Sequence, residues 1–239
     1  MPDLSVVIPA YNEEDRIVPT LTATLDYLAG RRASAEVVVV SDGSTDHTAD
    51  VVRAFAPPEN VSLRMLEYKP NRGKGYAVAY GMTRAKGGRV LFMDADYSVP
   101  IEELEKAEAL MDQGADVAIA SRALAESQVE AYQNLPRRMS ARIYTLVQNT
   151  WLGFSYPDTQ CGFKMFTQNA AADLFSRQKL TSVIFDAEIL WLAKRQGFRV
   201  AQFPVKWTHV EDSRIQYDSL RKSLFVFQEL FRIKGLHRQ

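Results

Sequence analysis

Short apolar runs rich in β-branched residues recur at 4–8, 36–40, 61–66, 90–93 and 117–120, and this repetition constrains the fold more than any other feature. Their apolar character is continuous rather than alternating, the pattern of strands covered on both faces. The stretches between them, 13–28, 45–55, 74–85 and 101–111, carry apolar residues at helical spacing. Pro100 suits the first turn of the last of these, with Ser98 or Val99 just before it. Strand and helix in alternation predict an α/β fold, a doubly wound, mainly parallel sheet flanked by helices. No repeat, low-complexity tract or linker interrupts it, so the expectation is a single domain over 1–214. The segment 215–239 forms an amphipathic basic helix, part of that domain or appended to it. At 239 residues, 46% of them hydrophobic, the chain can fill such a core.

In such sheets ligands bind beyond the carboxyl ends of the strands, so the residues following each strand are where chemistry is expected. The first strand leads into Pro9-Ala10-Tyr11-Asn12-Glu13-Glu14, the second into Ser41-Asp42-Gly43-Ser44-Thr45-Asp46, and the fourth into Asp94-Ala95-Asp96. Neither early turn is G-x-G-x-x-G and no P-loop is present, which disfavours a nicotinamide, flavin or P-loop enzyme. The ligand edge is acidic instead and would repel a diphosphate unless a cation mediates. Asp94 and Asp96, at i and i+2 after a buried strand, can hold Mg²⁺ or Mn²⁺ while the ion also takes diphosphate oxygens. Taken alone, Asp96 reads more readily as a cap for the helix near Pro100, and the other strand-end segments turn the reading toward a metal ligand.

Charge and cysteine usage narrow the classes further. Lys+Arg and Asp+Glu both number 29, which leaves no global basic field for nucleic acid. The lone Cys161 makes no intramolecular disulfide, and three histidines without a Cys/His cluster give no zinc spacing. These features suggest a reducing cytoplasm. The N-terminus lacks the pattern of a signal peptide, and no apolar run approaches the roughly 18 residues of a membrane span. A protein of this kind that works on membranes sits on them.

The strand-end segments, in this order, resemble family 2 glycosyltransferases, which have the GT-A fold. Asn71-Arg72-Gly73-Lys74-Gly75, Ala120-Ser121-Arg122, Asp158-Thr159-Gln160-Cys161-Gly162-Phe163-Lys164, Phe185-Asp186-Ala187-Glu188 and Val205-Lys206-Trp207-Thr208-His209 extend the resemblance. These later blocks look like the polyprenyl-phosphate branch, and more like its dolichyl-phosphate glucosyltransferases than its mannosyltransferases. For the donor, the resemblance implies a cradle of Pro9, Tyr11 and Glu13 around the nucleoside and Asp42 at the base. The same resemblance implies Asp94 and Ala95 near the ribose and diphosphate, and Asp96 as the principal metal ligand with Asp94 beside it. The family usually has a second acid where this chain has Ser41. For the acceptor, it implies Arg138, with Ser140 or Arg142, at the lipid phosphate, and Trp207, His209, Ser213 and Arg214 nearby.

The residues themselves allow these roles beside plainer ones. Tyr11 offers a flat face for a base and Glu13 an acceptor for ribose hydroxyls, yet both suit an ordinary turn and helix start. Lys74, between two glycines, reaches phosphates or is a solvated lysine. Arg122 can bind a leaving diphosphate or an acceptor phosphate. The polar stretch 123–136 has the length of a lid, and the basic turn after it asks for an anion. Asp186 and Glu188 serve as helix-start acids or have a direct role. Trp207 and His209 alone would more often be packing residues.

The expected activity is an inverting hexosyltransferase. It moves glucose, or alternatively mannose, from UDP-glucose or GDP-mannose to a polyprenyl (dolichyl or undecaprenyl) phosphate, with Asp96, Arg122 and Asp158 as catalytic residues. A hydroxyl acceptor, as in glycolipid or polysaccharide synthesis, is the alternative, with Asp158 as general base. The expected location is peripheral, on the cytoplasmic face of a membrane. The 219–239 helix, an anchoring partner or a homo-oligomer would hold the protein there, although that helix could equally pack on the domain.

Overall fold

The computed structural model describes residues 1–130, 135–210 and 220–238; side chains are described outside 135–139 and 220–223. A seven-stranded sheet runs in the order β3-β2-β1-β4-β7-β5-β8, built from β1 (Leu4–Ala10), β2 (Ala35–Asp42), β3 (Val61–Tyr68), β4 (Arg89–Met93), β5 (Val117–Ser121), β7 (Phe163–Thr167) and β8 (Val200–Pro204). Every residue of β1, β2 and β5 is buried, as expected of strands with helices on both faces. Because side chains alternate along a strand, Val6, Ile8, Val37 and Val39 enter one core, with α1 (Ile17–Ala29) and α4 (Leu104–Asp112). Val7, Val38, Val40 and Phe92 enter the other, with α3 (Lys74–Met82), α6 (Gln168–Arg177) and α7 (Phe185–Gln196). Each buried Val contributes roughly 1.5–3 kcal/mol, so the alternation fixes the register of the whole layer.

The sheet is mainly parallel, as expected, but β7 is antiparallel to both β4 and β5. Neither β7 nor β8 was anticipated as a strand. The direction of β7 matters: it begins at the edge where β4 and β5 end, so the loop before it enters the same crevice. A parallel pair, β6 (Gln128–Glu130) with β9 (Lys206–Thr208), lies beyond β8.

Helix starts differ from expectation for a physical reason. The amides of Asn12, Glu13 and Glu14 donate to side-chain oxygens of Ser44, Thr48 and Asp46, so α1 begins at Ile17 and not near 13. Asp46 also accepts from the Thr48 amide, and α2 (Thr48–Arg53) begins there and not at 45. Residues 101–103 form a 3-10 turn that leads into α4. At the C-terminal end α8 (Leu220–Leu236) buries Leu230 and Ile233 in the second core, against α5 (Leu135–Leu152) and α7.

Candidate active site

β1 has β2 on one side and β4 on the other, so the chain order reverses between β1 and β4. The crevice at that switch point is where a ligand enters a doubly wound sheet. Pro9, buried near the end of β1, Tyr11 just beyond it, Asp42 closing β2 and Asp94 following β4 all lie on this edge. Two non-glycine residues here have left-handed backbones, Asn12 (φ 56°) and Tyr97 (φ 54°); conformations of this cost cluster at ligand-binding turns. The Asn12 Oδ1 accepts from the Thr45 amide at 2.8 Å and ties the first strand-end loop to the second.

Tyr11 is 41% exposed. The Glu13 carboxylate receives a bidentate guanidinium from Arg16, at 2.6 and 2.7 Å. Asp42 is occupied more completely: it accepts from the Tyr68 hydroxyl (2.8 Å), Asn71 Nδ2 (3.0 Å) and the amides of Arg72 (2.7 Å) and Gly73 (2.9 Å). A carboxylate has about four acceptor positions, so the visible work of Asp42 is to shape the loop that presents Lys74. Gly73, with φ 96°, turns that loop at a conformation other residues avoid, and a Cβ there would lie 2.5 Å from the Thr181 carbonyl.

Lys74 Nζ lies 2.7 Å from Asp94 Oδ1. Although burial works against its charge, Asp94 and Asp186 outweigh burial and hold the ammonium protonated. The Asp94 amide donates to the Gly162 carbonyl at 3.0 Å, and a Cβ on Gly162 would lie 2.0 Å from Asp94 Oδ2. Only glycine leaves that carboxylate its place. Ala95 is fixed through its carbonyl, which accepts from Thr20 at 2.7 Å. Asp96 Oδ1 accepts from the Ser98 amide at 3.0 Å and does not cap the following helix. Burial, and then the charge of Asp94, push its carboxyl above the usual range.

Among the described residues no group of three or more His, Cys, Asp or Glu could hold a metal by itself. Two carboxylates nonetheless fit a hard divalent ion that arrives with its own phosphate oxygens. Such a charge would relieve the repulsion that raises Asp96.

On the other side of the crevice Arg122, just after β5, makes a bidentate pair with Asp158: Nε to Oδ2 at 2.7 Å and Nη2 to Oδ1 at 2.9 Å. Asp158 also accepts from the amides of Arg122 and Gln160, each at 3.0 Å. Burial alone would raise its carboxyl, but Arg122 and these hydrogen bonds together bring it below the usual carboxylate range. That is the opposite of a poised general base. The guanidinium stands 5.4 Å from the centre of the Trp207 ring, and Trp207 lies 5.9 Å from His209, so this part of β9 belongs to the site.

Lys164 is a site-supporting residue that went unassigned in the sequence. Fully buried, it donates to the Cys161 carbonyl at 2.6 Å and to Asp186 at 2.5 Å, behind Gly162 and Asp94. A charged residue in an otherwise apolar strand was the available signal. Asp186 thus backs the site. Glu188 does not reach it: its carboxylate accepts from the amides of Lys179 and Leu180 and pairs with His237 at 2.6 Å. Cys161 is buried and its thiol is pushed up to about 12, chiefly by burial, so it supplies no thiolate. Ser140 and Arg142 are exposed on α5. The Arg138 side chain, Ser213 and Arg214 lie outside the described residues.

Residues 5–175 match the glycosyl transferase family 2 model. The chain belongs to that family. Among curated proteins it is 35% identical to the dolichyl-phosphate beta-glucosyltransferase of Drosophila melanogaster, over 89% of this chain and 69% of that one. It is 32% identical to the Saccharomyces cerevisiae protein of the same name, over 98% and 76%. Among solved structures it resembles glucosyl-3-phosphoglycerate synthase from Mycobacterium tuberculosis with Mn²⁺, UDP-glucose and phosphoglyceric acid. There the TM-score is 0.70 at 19% identity, covering 100% of this chain and 81% of that one. A mannosyltransferase from Pyrobaculum calidifontis with GDP-mannose and Mn²⁺ gives 0.65 at 22%, covering 100% and 65%. The fold of this family 2 glycosyltransferase is therefore GT-A.

Proposed function

We propose that this family 2 glycosyltransferase moves glucose from UDP-glucose to a polyprenyl phosphate such as dolichyl phosphate, with inversion at the anomeric carbon. The observation that carries this reading is the saturated Arg122–Asp158 pair. A hydroxyl acceptor must lose its proton to a base, and Asp158 has its oxygens occupied and its basicity reduced. A phosphate monoester, with a second pKa of about 6, is already largely ionised at neutral pH and needs positioning instead. Arg122 supplies it: Asp158 holds the guanidinium in one orientation, and the N–H groups not spent on Asp158 remain for phosphate oxygens.

On the donor side Tyr11 offers a face to the base, and Asp42 holds the loop that directs Lys74 toward the diphosphate. Asp94 and Asp96 would hold Mg²⁺ or Mn²⁺, which when bound offsets the charge of the departing nucleoside diphosphate. Arg122 and Lys74 add fixed positive charge where negative charge develops on that group. The names of the curated relatives support glucose and dolichyl phosphate, and the donors of the structural neighbours support a nucleoside-diphosphate sugar. A lipid acceptor places the working protein at a membrane surface. Among the described residues no helix is long and apolar enough to cross one.

The test is nucleoside-diphosphate release over a panel of sugar donors, with Mg²⁺, Mn²⁺ or chelator, and with or without polyprenyl phosphate. UDP release from UDP-glucose that needs both metal and polyprenyl phosphate is expected. Release stimulated only by a hydroxyl sugar would overturn the phosphate acceptor.

A further inference from the structure

Among the described residues, large apolar side chains open to solvent concentrate on two neighbouring helices. Ile143 (56% exposed) and Leu146 (68%) lie on α5, and Leu224 (60%), Phe225 (48%) and Phe231 (46%) on α8. The helices meet through ring contacts, Tyr144 with Phe227 and Trp151 with Phe231. Charge is equally concentrated. By sequence the two helices carry Arg137, Arg138, Arg142, Arg221, Lys222, Arg232 and Lys234 against one acid, Glu229, which is buried and paired with Arg232. The chain as a whole is neutral, so everything outside this pair is net acidic.

We infer that the α5/α8 pair is the docking surface for an anionic lipid bilayer, a proposal that rests on the lipid-acceptor reading and gives it a location. A second copy of the chain would bring like charges together. An anionic bilayer supplies both an apolar phase for Leu146 and Leu224 and counter-charge for the arginines and lysines. The surface is joined to the chemistry: Gln148 of α5, fully buried, accepts from the Thr159 hydroxyl at 3.0 Å, next to Asp158 in the loop that fixes Arg122. A bilayer held on α5 therefore lies beside the segment that orients the phosphate-binding guanidinium.

The test is flotation of the full chain with vesicles of phosphatidylcholine alone or mixed with phosphatidylglycerol, comparing wild type with Leu146→Glu/Leu224→Glu. Both positions are exposed, so the fold should survive, with an unchanged thermal midpoint as the control. Wild type should float with the mixed vesicles and not the neutral ones, and the variant should lose about ten-fold or more of that partitioning. The variant should keep wild-type transfer to a short-chain, water-soluble polyprenyl phosphate. Equal flotation of variant and wild type would overturn the surface, as would a wild-type dimer that the variant converts to monomer without any change in flotation. Flotation needs no turnover, so a failure of the proposed reaction shows separately, as absent transfer to the short-chain phosphate while flotation persists.

Discussion

Asp94, Asp96, Lys74, Asp158 and Arg122 are ordinary ionisable residues whose neighbours assign them different work. Lys74 occupies Asp94 Oδ1, the same carboxylate that a divalent ion would use, so lysine and ion would compete for it where no diphosphate is present. Lys74→Met should therefore tighten Mn²⁺ binding in the absence of nucleotide while slowing transfer; calorimetric titration reads the first and an unchanged affinity would refute the competition. Asp96→Asn should cost metal-dependent transfer roughly 10²-fold or more with circular dichroism unchanged, because it removes a charge that burial already disfavours. For Asp158→Asn we expect a loss of about 10²-fold in kcat with the acidic limb of the pH–rate profile unmoved. A base at this position would instead take that limb away with it.

The elements that carry these residues are held by polar contacts at both ends of the sheet. At the end remote from the site, Glu36 of β2 is buried and accepts from Ser5 Oγ at 2.6 Å, Arg64 Nη1 at 2.9 Å and the Lys86 amide. Burial opposes its charge, but the three donors together leave its carboxyl below the usual range. A carboxylate lowered on folding stabilises above its unfolded pKa, and that contribution fades as pH falls through the folded value. Glu36→Gln should then cost about 1–3 kcal/mol at neutral pH, and the gap from wild type in urea melts should narrow below about pH 4. A gap constant with pH would mean that size, not charge, matters there. The parallel strands, β1 to β5, and the helices between them were legible in the sequence because each strand repeats one pattern and each helix another. β7 was not, because Lys164 interrupts its apolar run and its charge is tolerated only where Asp186 and the Cys161 carbonyl meet it.

For the molecule as a whole, α8 packs into the second core. Leu230 and Ile233 are fully buried, and His237 closes on Glu188 beneath them. Removing 220–239 should therefore lower the thermal midpoint by several degrees or yield insoluble protein, beyond any effect on membranes. A truncated chain that melts like wild type would show the helix to be dispensable. The sequence by itself determined the parallel strands β1 to β5, their ligand edge and the acids on it, since periodicity and strand-end composition are local properties. Only the tertiary structure decided which carboxylates remain available. Asp42 and Asp158 lose their free acceptor positions to donors distant in the chain, and Gly162 shows its purpose only where β7 turns back against Asp94. The parallel β2–β3 pair brings Asp42 its partners, the loop that leads into antiparallel β7 brings Asp158 and Gly162 theirs, and nothing in the spacing of residues along the chain encodes that they meet.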